Sequence, residues 1–449
     1  MPIKDSEYHE KTKGCFPIGY RYRGDTQHSL AFPLIFLIYP LVFYVFQRKR
    51  TGINIAFSLG ITGTAIILAF FNSFFVAQYY MLAISLIYFS FLLTADLVII
   101  YTITTIKKAA LPLVFCYVMG TRILLTLNPW CFPFYWTLSM HILPGMETVS
   151  RIILPILFES FILVLAAAAY MIYTKQARKS TYLQLFAVVL ICCGITPIIR
   201  QVFLPEKKPI YLSCGMVQGS FTKHDYDLVE KHPALAGEIS AAYRQYIADS
   251  KPCRLLIVPE SAFPQKQTKQ PMPGYAGQTE ETLSQWLETT AMKKSLYILT
   301  NITLENNEKT YNATALFNPQ GILQDTYIKK NTTPLYESRY YTTGDYLNTF
   351  KIDNYTIAPL ICFDTVFLLN YLRKEIPDLY VAVSNDVFAE GTILSRLHQA
   401  YGIINARTMG IPFIQVTQNG PSFYVNSKGT LYSLAEPYEK AIDITFTVE

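Results

Sequence analysis

Apolar residues crowd the first 204 positions in long runs and then thin into short alternating segments. The runs extend from Ser29 to Gln47, Ile53 to Phe71, a third broken by Asp96 and ending at Lys107-Lys108, Ala109 to Leu127, Ile152 to Tyr173, and Leu183 to Phe203. Each approaches the ~20 residues that a helix needs to cross a bilayer. The pattern predicts about six helices over 29–205, after a polar, aromatic arm at 1–28 that lacks the features of a secretory signal peptide. Basic clusters at Arg48-Lys49-Arg50, Lys107-Lys108 and Lys175 to Lys179 fall at alternate ends of these spans. The positive-inside rule puts all three in the cytoplasm and everything after Phe203 outside. The same parity puts the N-terminus outside. Between two spans, Asn128-Pro-Trp-Cys-Phe-Pro-Phe-Tyr-Trp136 cannot be a continuous helix, and reads either as an aromatic belt or as a lipid-entry lip. Charged Asp96 and Arg122 within the apolar runs read as functional groups or, for Arg122, as a snorkelling side chain.

From Lys208 the period changes. Strands are predicted at 209–217, 254–258, 296–299, 311–317, 356–362, 379–384 and 413–417, with helices over 235–248, 280–292 and 398–409. A hairpin joins 422–425 to 430–432 around Asn426-Ser-Lys-Gly429, and an ordinary strand precedes Glu449. Alternating strands and helices predict an α/β sandwich over 206–449.

Composition agrees with this division. The 449 residues are 51% hydrophobic and only 16% charged, outside the usual soluble range. The net charge of +6 is modest and its basic residues flank the apolar runs, a pattern of membrane topology rather than nucleic-acid binding. Of eight cysteines, Cys116, Cys131, Cys192 and Cys193 lie in or beside the apolar runs, and no Cys-x-x-Cys pair occurs. The later domain holds Cys214, Cys253 and Cys362, an odd number. The histidines lack metal-ligand spacing and there is no glycine-rich phosphate loop, so neither metal nor cofactor is expected.

Three strand ends carry candidate chemistry. Ala358-Pro-Leu-Ile-Cys-Phe-Asp364 delivers Cys362 to the end of an apolar run; Leu255-Leu-Ile-Val-Pro-Glu-Ser261 does the same for Glu260; and Asp325-Thr-Tyr-Ile-Lys-Lys-Asn331 places Lys329 just past a strand. A lone cysteine is more often a buried structural residue, but a carboxylate and a lysine at matching positions supply what a thiol needs to act as a nucleophile.

These stretches, with Pro334 and Glu337 after the lysine, resemble the carbon-nitrogen hydrolase (nitrilase) superfamily, and more narrowly the apolipoprotein N-acyltransferase family. Met216-Val-Gln-Gly219, Tyr311-Asn312, Ser384-Asn-Asp386 and Thr417-Gln-Asn-Gly420 add to the likeness, which covers nearly the whole chain. The resemblance implies a multi-span helical membrane domain followed by an αββα nitrilase-like sandwich on the periplasmic side of the inner membrane. It also implies a monomer without nucleic-acid partners. In the activity it implies, Glu260 is the base, Cys362 attacks an ester carbonyl of a phospholipid, and Lys329 steadies the oxyanion. The acyl group then passes from the thioester to the N-terminal amine of a diacylglyceryl lipoprotein. Glu337 would orient Lys329. The chain departs from the family at Val258 and Phe388, where tryptophans are usual, at Phe363 and Asp364, where tyrosine and glutamate are usual, and at Tyr336, usually glycine. Asp364 would take over the glutamate's role, or serve as a helix N-terminal carboxylate. Val258 and Phe388 would widen the lipid or acceptor pocket. The family's first and last spans are not apparent, which leaves open its shorter conjugal-transfer relatives. A membrane-anchored amidase and an inactive envelope scaffold are the other readings.

Overall fold

The computed structural model describes residues 110–127, 141, 143, 145–173, 177–203, 209–232, 235–264, 282–306, 309–333, 337–390 and 394–448. The arm at 1–28, the first three predicted spans, Asp96 and the aromatic segment 128–136 lie outside them.

Four helices come first: α1 (Ala110–Leu127), α2 (Met146–Ile152), α3 (Pro155–Tyr173) and α4 (Lys179–Phe203). The predicted span from Ile152 corresponds to α3; α2, which was not predicted, lies before it, and the extended residue Ile153 and Pro155 keep the two helices apart. In α4, Thr181, Val188, Cys192 and Thr196 face the protein at helical spacing. The opposite face leaves Leu183, Phe186, Leu190, Ile198 and Val202 exposed. Among the described residues, 179–202 is the one helix long and apolar enough to cross a membrane; α1 and α3 contain shorter apolar stretches. Arg122 does not snorkel. It is buried against Glu159 of α3, Nε to Oε1 2.5 Å, so each charge has its counter-ion where water is excluded.

The remainder is a four-layer α/β/β/α sandwich. One sheet has the order β12-β1-β2-β3-β4-β5 and the other β11-β10-β9-β8-β7-β6, built from β1 (Leu212–Gln218), β2 (Leu255–Ile257), β3 (Tyr297–Asn306), β4 (Lys309–Phe317), β5 (Leu323–Ile328), β6 (Phe350–Ile352), β7 (Tyr355–Ile361), β8 (Leu379–Asn385), β9 (Phe413–Gln418), β10 (Ser422–Val425), β11 (Leu431–Ala435) and β12 (Ala441–Val448). The centre of each sheet is parallel, β1-β2-β3 and β7-β8-β9. These strands are buried on both faces, which is why they read as unbroken apolar runs.

The two-residue period of a strand sorts their side chains. Leu255, Ile257, Ile357, Ile361, Val381 and Val383 meet between the sheets. Leu256 and Val258 instead point to the outer layer formed by α6 (Ala236–Asp249) and α7 (Leu283–Lys294). On the other side, Ala358, Leu360, Tyr380 and Ala382 pack beneath α8 (Leu394–Met409). Two elements of the sandwich, like α2 before it, escaped the sequence reading. Helix α5 (Lys223–Lys231) is polar and is fixed by a Thr222–Asp225 capping box, and β6 has only three residues.

The α8 helix also touches α2, α3 and α4. Arg407 donates to the carbonyls of His141 (2.7 Å) and Gly429 (2.9 Å), and Arg200 of α4 donates to Ser150 O and Arg407 O.

Candidate active site

Four groups converge at the carboxyl ends of strands from both sheets. Glu260 follows β2, Lys329 follows β5, Cys362 follows β7, and Asn385 ends β8. Strand ends leave backbone free to turn, so polar side chains can be aimed inward without breaking a ladder. Cys362 takes φ +42° as it enters a short 3-10 turn, Cys362–Val366. That left-handed backbone is costly for a residue with a Cβ. It also breaks the strand's alternation, so Ile361 and Cys362 both face the inter-sheet core.

Lys329 is completely buried, with Nζ 3.2 Å from Glu260 Oε1 and 2.8 Å from Glu337 Oε1. Neighbouring Lys330 turns outward and donates to Asp345 O. Asn312, on β4, lies between the two carboxylates and donates to Glu260 Oε1 at 2.7 Å and Glu337 Oε1 at 3.2 Å. Its own carbonyl accepts from Asn301. The second oxygen of Glu260 accepts from Asn385 N, and that of Glu337 from the backbone and hydroxyl of Thr333.

These surroundings give the two glutamates opposite characters. Burial raises the Glu260 pKa, and neither Lys329 nor Asn312 fully cancels it. Burial acts on Glu337 too, but Lys329 and the Thr333 donors outweigh it and hold that carboxyl below its ordinary range. Glu337 is therefore the standing counter-ion and Glu260 the carboxylate suited to accept a proton. For Lys329, desolvation is overcome by the charges of Glu260 and Glu337, which keep the ammonium charged. Burial, then the Glu260 charge, pushes the Cys362 thiol up. At rest it is a thiol beside a base.

Asp364 is fully buried and is more than a helix-terminal carboxylate. It accepts from Ile361 N and also from Tyr327 Oη (2.9 Å) and Asn331 N (2.7 Å), joining the cysteine turn to the lysine loop. Burial raises it to about 6. Phe363 packs behind the turn with Phe367, Ala400, Tyr401 and Ile404, its ring edge-to-face with Phe367.

The remaining two sequence candidates lie apart. Val258 has no exposed surface and fills the layer between its sheet and α6 and α7, so it cannot widen an open pocket; its parity with Leu256 puts it there. Phe388 is 53% exposed on a 3-10 turn, Val387–Ala389. Asn312 and Asn385 had been legible only as motif members without a role. Tyr336 lies outside the described residues.

Comparison with known proteins gives a family match over the sandwich. The sequence model of the carbon-nitrogen hydrolase family matches residues 216–444, just over half of the chain. Apolipoprotein N-acyltransferase 1 of Treponema denticola is 21% identical over 174 residues, covering 32% of this chain and 32% of that protein. The chain thus matches about a third of that relative's length. Among solved structures, a CN-hydrolase superfamily protein from Xanthomonas campestris with an arsenic adduct in its active site is 20% identical, with a TM-score of 0.40 over 53% of this chain and 91% of that one. An amidase from Nesterenkonia sp. is 16% identical, with a TM-score of 0.38 over 52% and 89%.

Proposed function

The chain belongs to the carbon-nitrogen hydrolase family, and from that premise we propose that it is a membrane acyltransferase, moving a fatty acyl group from a phospholipid through a Cys362 thioester to the N-terminal amine of a lipoprotein. The observation that carries this reading is a buried lysine held between two carboxylates beside a cysteine of left-handed backbone. The distant likeness to an apolipoprotein N-acyltransferase and the apolar face of α4 favour a lipid substrate.

In this mechanism Glu260 takes the thiol proton as Sγ attacks the ester carbonyl. Lys329, held by Glu337, meets the negative charge that develops on the carbonyl oxygen. One such donor is worth roughly 3 to 4 kcal/mol in the transition state. The C–O bond breaks, the lysophospholipid leaves with the proton from Glu260, and a thioester remains. The acceptor amine then attacks, gives its proton to Glu260, and Sγ recovers that proton as the C–S bond breaks. Residues 29–205 are the membrane domain in this reading. Residues 206–449 lie on the periplasmic side of the inner membrane, and the chain works as a monomer.

The test is acyl-enzyme trapping. Full-length protein in mixed micelles with phospholipid is expected to gain an acyl mass on the Cys362 peptide, and a diacylglyceryl peptide with a free N-terminal cysteine is expected to discharge it as an amide. An adduct that water removes, with no amide formed, identifies a membrane-anchored amidase instead. No adduct at Cys362 refutes both enzymes.

A further inference from the structure

A second polar cluster approaches Cys362 from the helix α8 side. His398 Nδ1 is 2.9 Å from Asp386 Oδ1, and Nε2 is 3.0 Å from the Cys362 carbonyl oxygen and 2.6 Å from Thr365 Oγ1. Cys362 Sγ, an Asp386 carboxylate oxygen and a ring nitrogen of His398 all lie within 4.8 Å of one another. The His398 and Asp386 side chains are 11% and 1% exposed.

Hydrogen counting favours a charged ring. A carboxylate and a backbone carbonyl only accept. The single hydroxyl hydrogen of Thr365 can turn to Cys362 O at 2.8 Å or to Nε2 at 2.6 Å, but in either case Nδ1 lies against the Asp386 carboxylate and Nε2 against the Cys362 carbonyl. Both ring nitrogens therefore face acceptors. A neutral imidazole leaves one buried contact between lone pairs, which costs about 1 to 3 kcal/mol, whereas an imidazolium satisfies them all. Burial opposes the charge, but Asp386 and the Cys362 carbonyl outweigh it, and His398 titrates above its ordinary range.

We propose that His398, kept as an imidazolium by Asp386, is a positioning residue for the nucleophile: it holds the Cys362 carbonyl in the left-handed turn and supplies a second positive charge beside the thiol. The proposal rests on reading Cys362 as the nucleophile, though not on any particular acyl donor. Glu260, Glu337 and Asp386 bring negative charge to this thiol while Lys329 brings the positive charge. An imidazolium reduces that excess just where Sγ must become an anion. Asp364 is turned to the lysine loop by Tyr327 and Asn331, and Arg396, on α8 itself, pairs with Glu436. Because the His398 pKa is raised, its charge is fully present at acidic pH and is lost as pH rises through that raised value.

The test is alkylation of Cys362 by iodoacetamide, followed on its own peptide in full-length protein at pH values spanning carboxylate to thiol titration. His398→Gln keeps an N–H for the carbonyl but removes the charge; His398→Ala removes both. At neutral pH the Gln variant is expected to react about tenfold more slowly, the equivalent of one pKa unit. Its profile should move to higher pH and converge with the wild type at alkaline pH, its melting temperature nearly unchanged. The Ala variant should be slower again. Superimposed wild-type and Gln profiles overturn the proposal. A wild-type Cys362 no more reactive than half-buried Cys253 overturns both this proposal and the nucleophile reading. One further measurement needs no variant: in 15N-histidine-labelled wild type, His398 is expected to be doubly protonated at neutral pH, and a neutral tautomer there refutes the idea.

Discussion

Asn312 is the residue through which the two glutamates of the site are kept distinct. Its amide donates to both carboxylates, and its bond to Glu260 favours the charged form of the base. Asn312→Ala removes that bond, so the Glu260 pKa should rise further. The base form exists above that pKa, and activity is lost as pH falls through it. The acid limb of the rate profile is thus expected to move to higher pH, by about one unit for a hydrogen bond to a charged group worth about 1.5 kcal/mol. An unmoved limb would assign the base to another residue. Cys362→Ser should leave the melting temperature almost unchanged, since oxygen fits the same turn. It should abolish the trapped acyl-enzyme, because a hydroxyl is far harder for a carboxylate to deprotonate than a thiol. Lys329→Met is different in kind. It leaves Glu260 and Glu337 facing each other without a cation in a buried site, and is expected to cost about 3 to 5 kcal/mol of stability as well as the activity. Thermal denaturation separates these two variants.

At the level of elements, the turn between β9 and β10 supports Asp386. A Cβ on Gly420 would stand 2.5 Å from Thr417 Cγ2 and 2.7 Å from Asp386 Oδ2. Gly420→Ala is therefore expected to displace the carboxylate from His398 and slow Cys362 alkylation several-fold, while the sheets still form; an unaltered rate would show that the turn yields at no cost. How legible each element was follows from where its signal resides. Glu260, Lys329 and Cys362 stand at the ends of apolar runs, and a strand end is punctuated in the sequence itself. Val258 was misplaced because the two-residue parity was not carried past Ile257; Leu256 and Val258 share a face, and that face meets helices. His398 gave no local sign. Its chemistry depends on Asp386 and on the Cys362 carbonyl, 12 and 36 residues away. Helix α5 has too few apolar residues to show a periodic face, so its cap was the readable cue.

On the scale of the whole molecule, the helices at 110–203 and the sandwich meet along α8. Arg407 near its end satisfies carbonyls from both sides of that junction. Arg407→Ala leaves those buried acceptors unpaired, and is expected to lower stability by about 1 to 3 kcal/mol, read as an earlier melting transition in detergent. The proposed topology has its own check: a reporter fused after Glu449 should work only if it is one that functions outside the cytoplasm. On α8, Arg407 follows His398, which touches the nucleophile's carbonyl, by nine residues, about 14 Å at 1.5 Å per residue. A rod of that length, clamped at the far end by the apolar helices, makes the chemistry sensitive to how the protein is purified. A detergent that loosens the helical half would release α8 from its anchor and blunt the thiol before circular dichroism registers any loss of helix or sheet. Reactivity of Cys362, rather than retained secondary structure, is then the criterion for choosing an extraction medium.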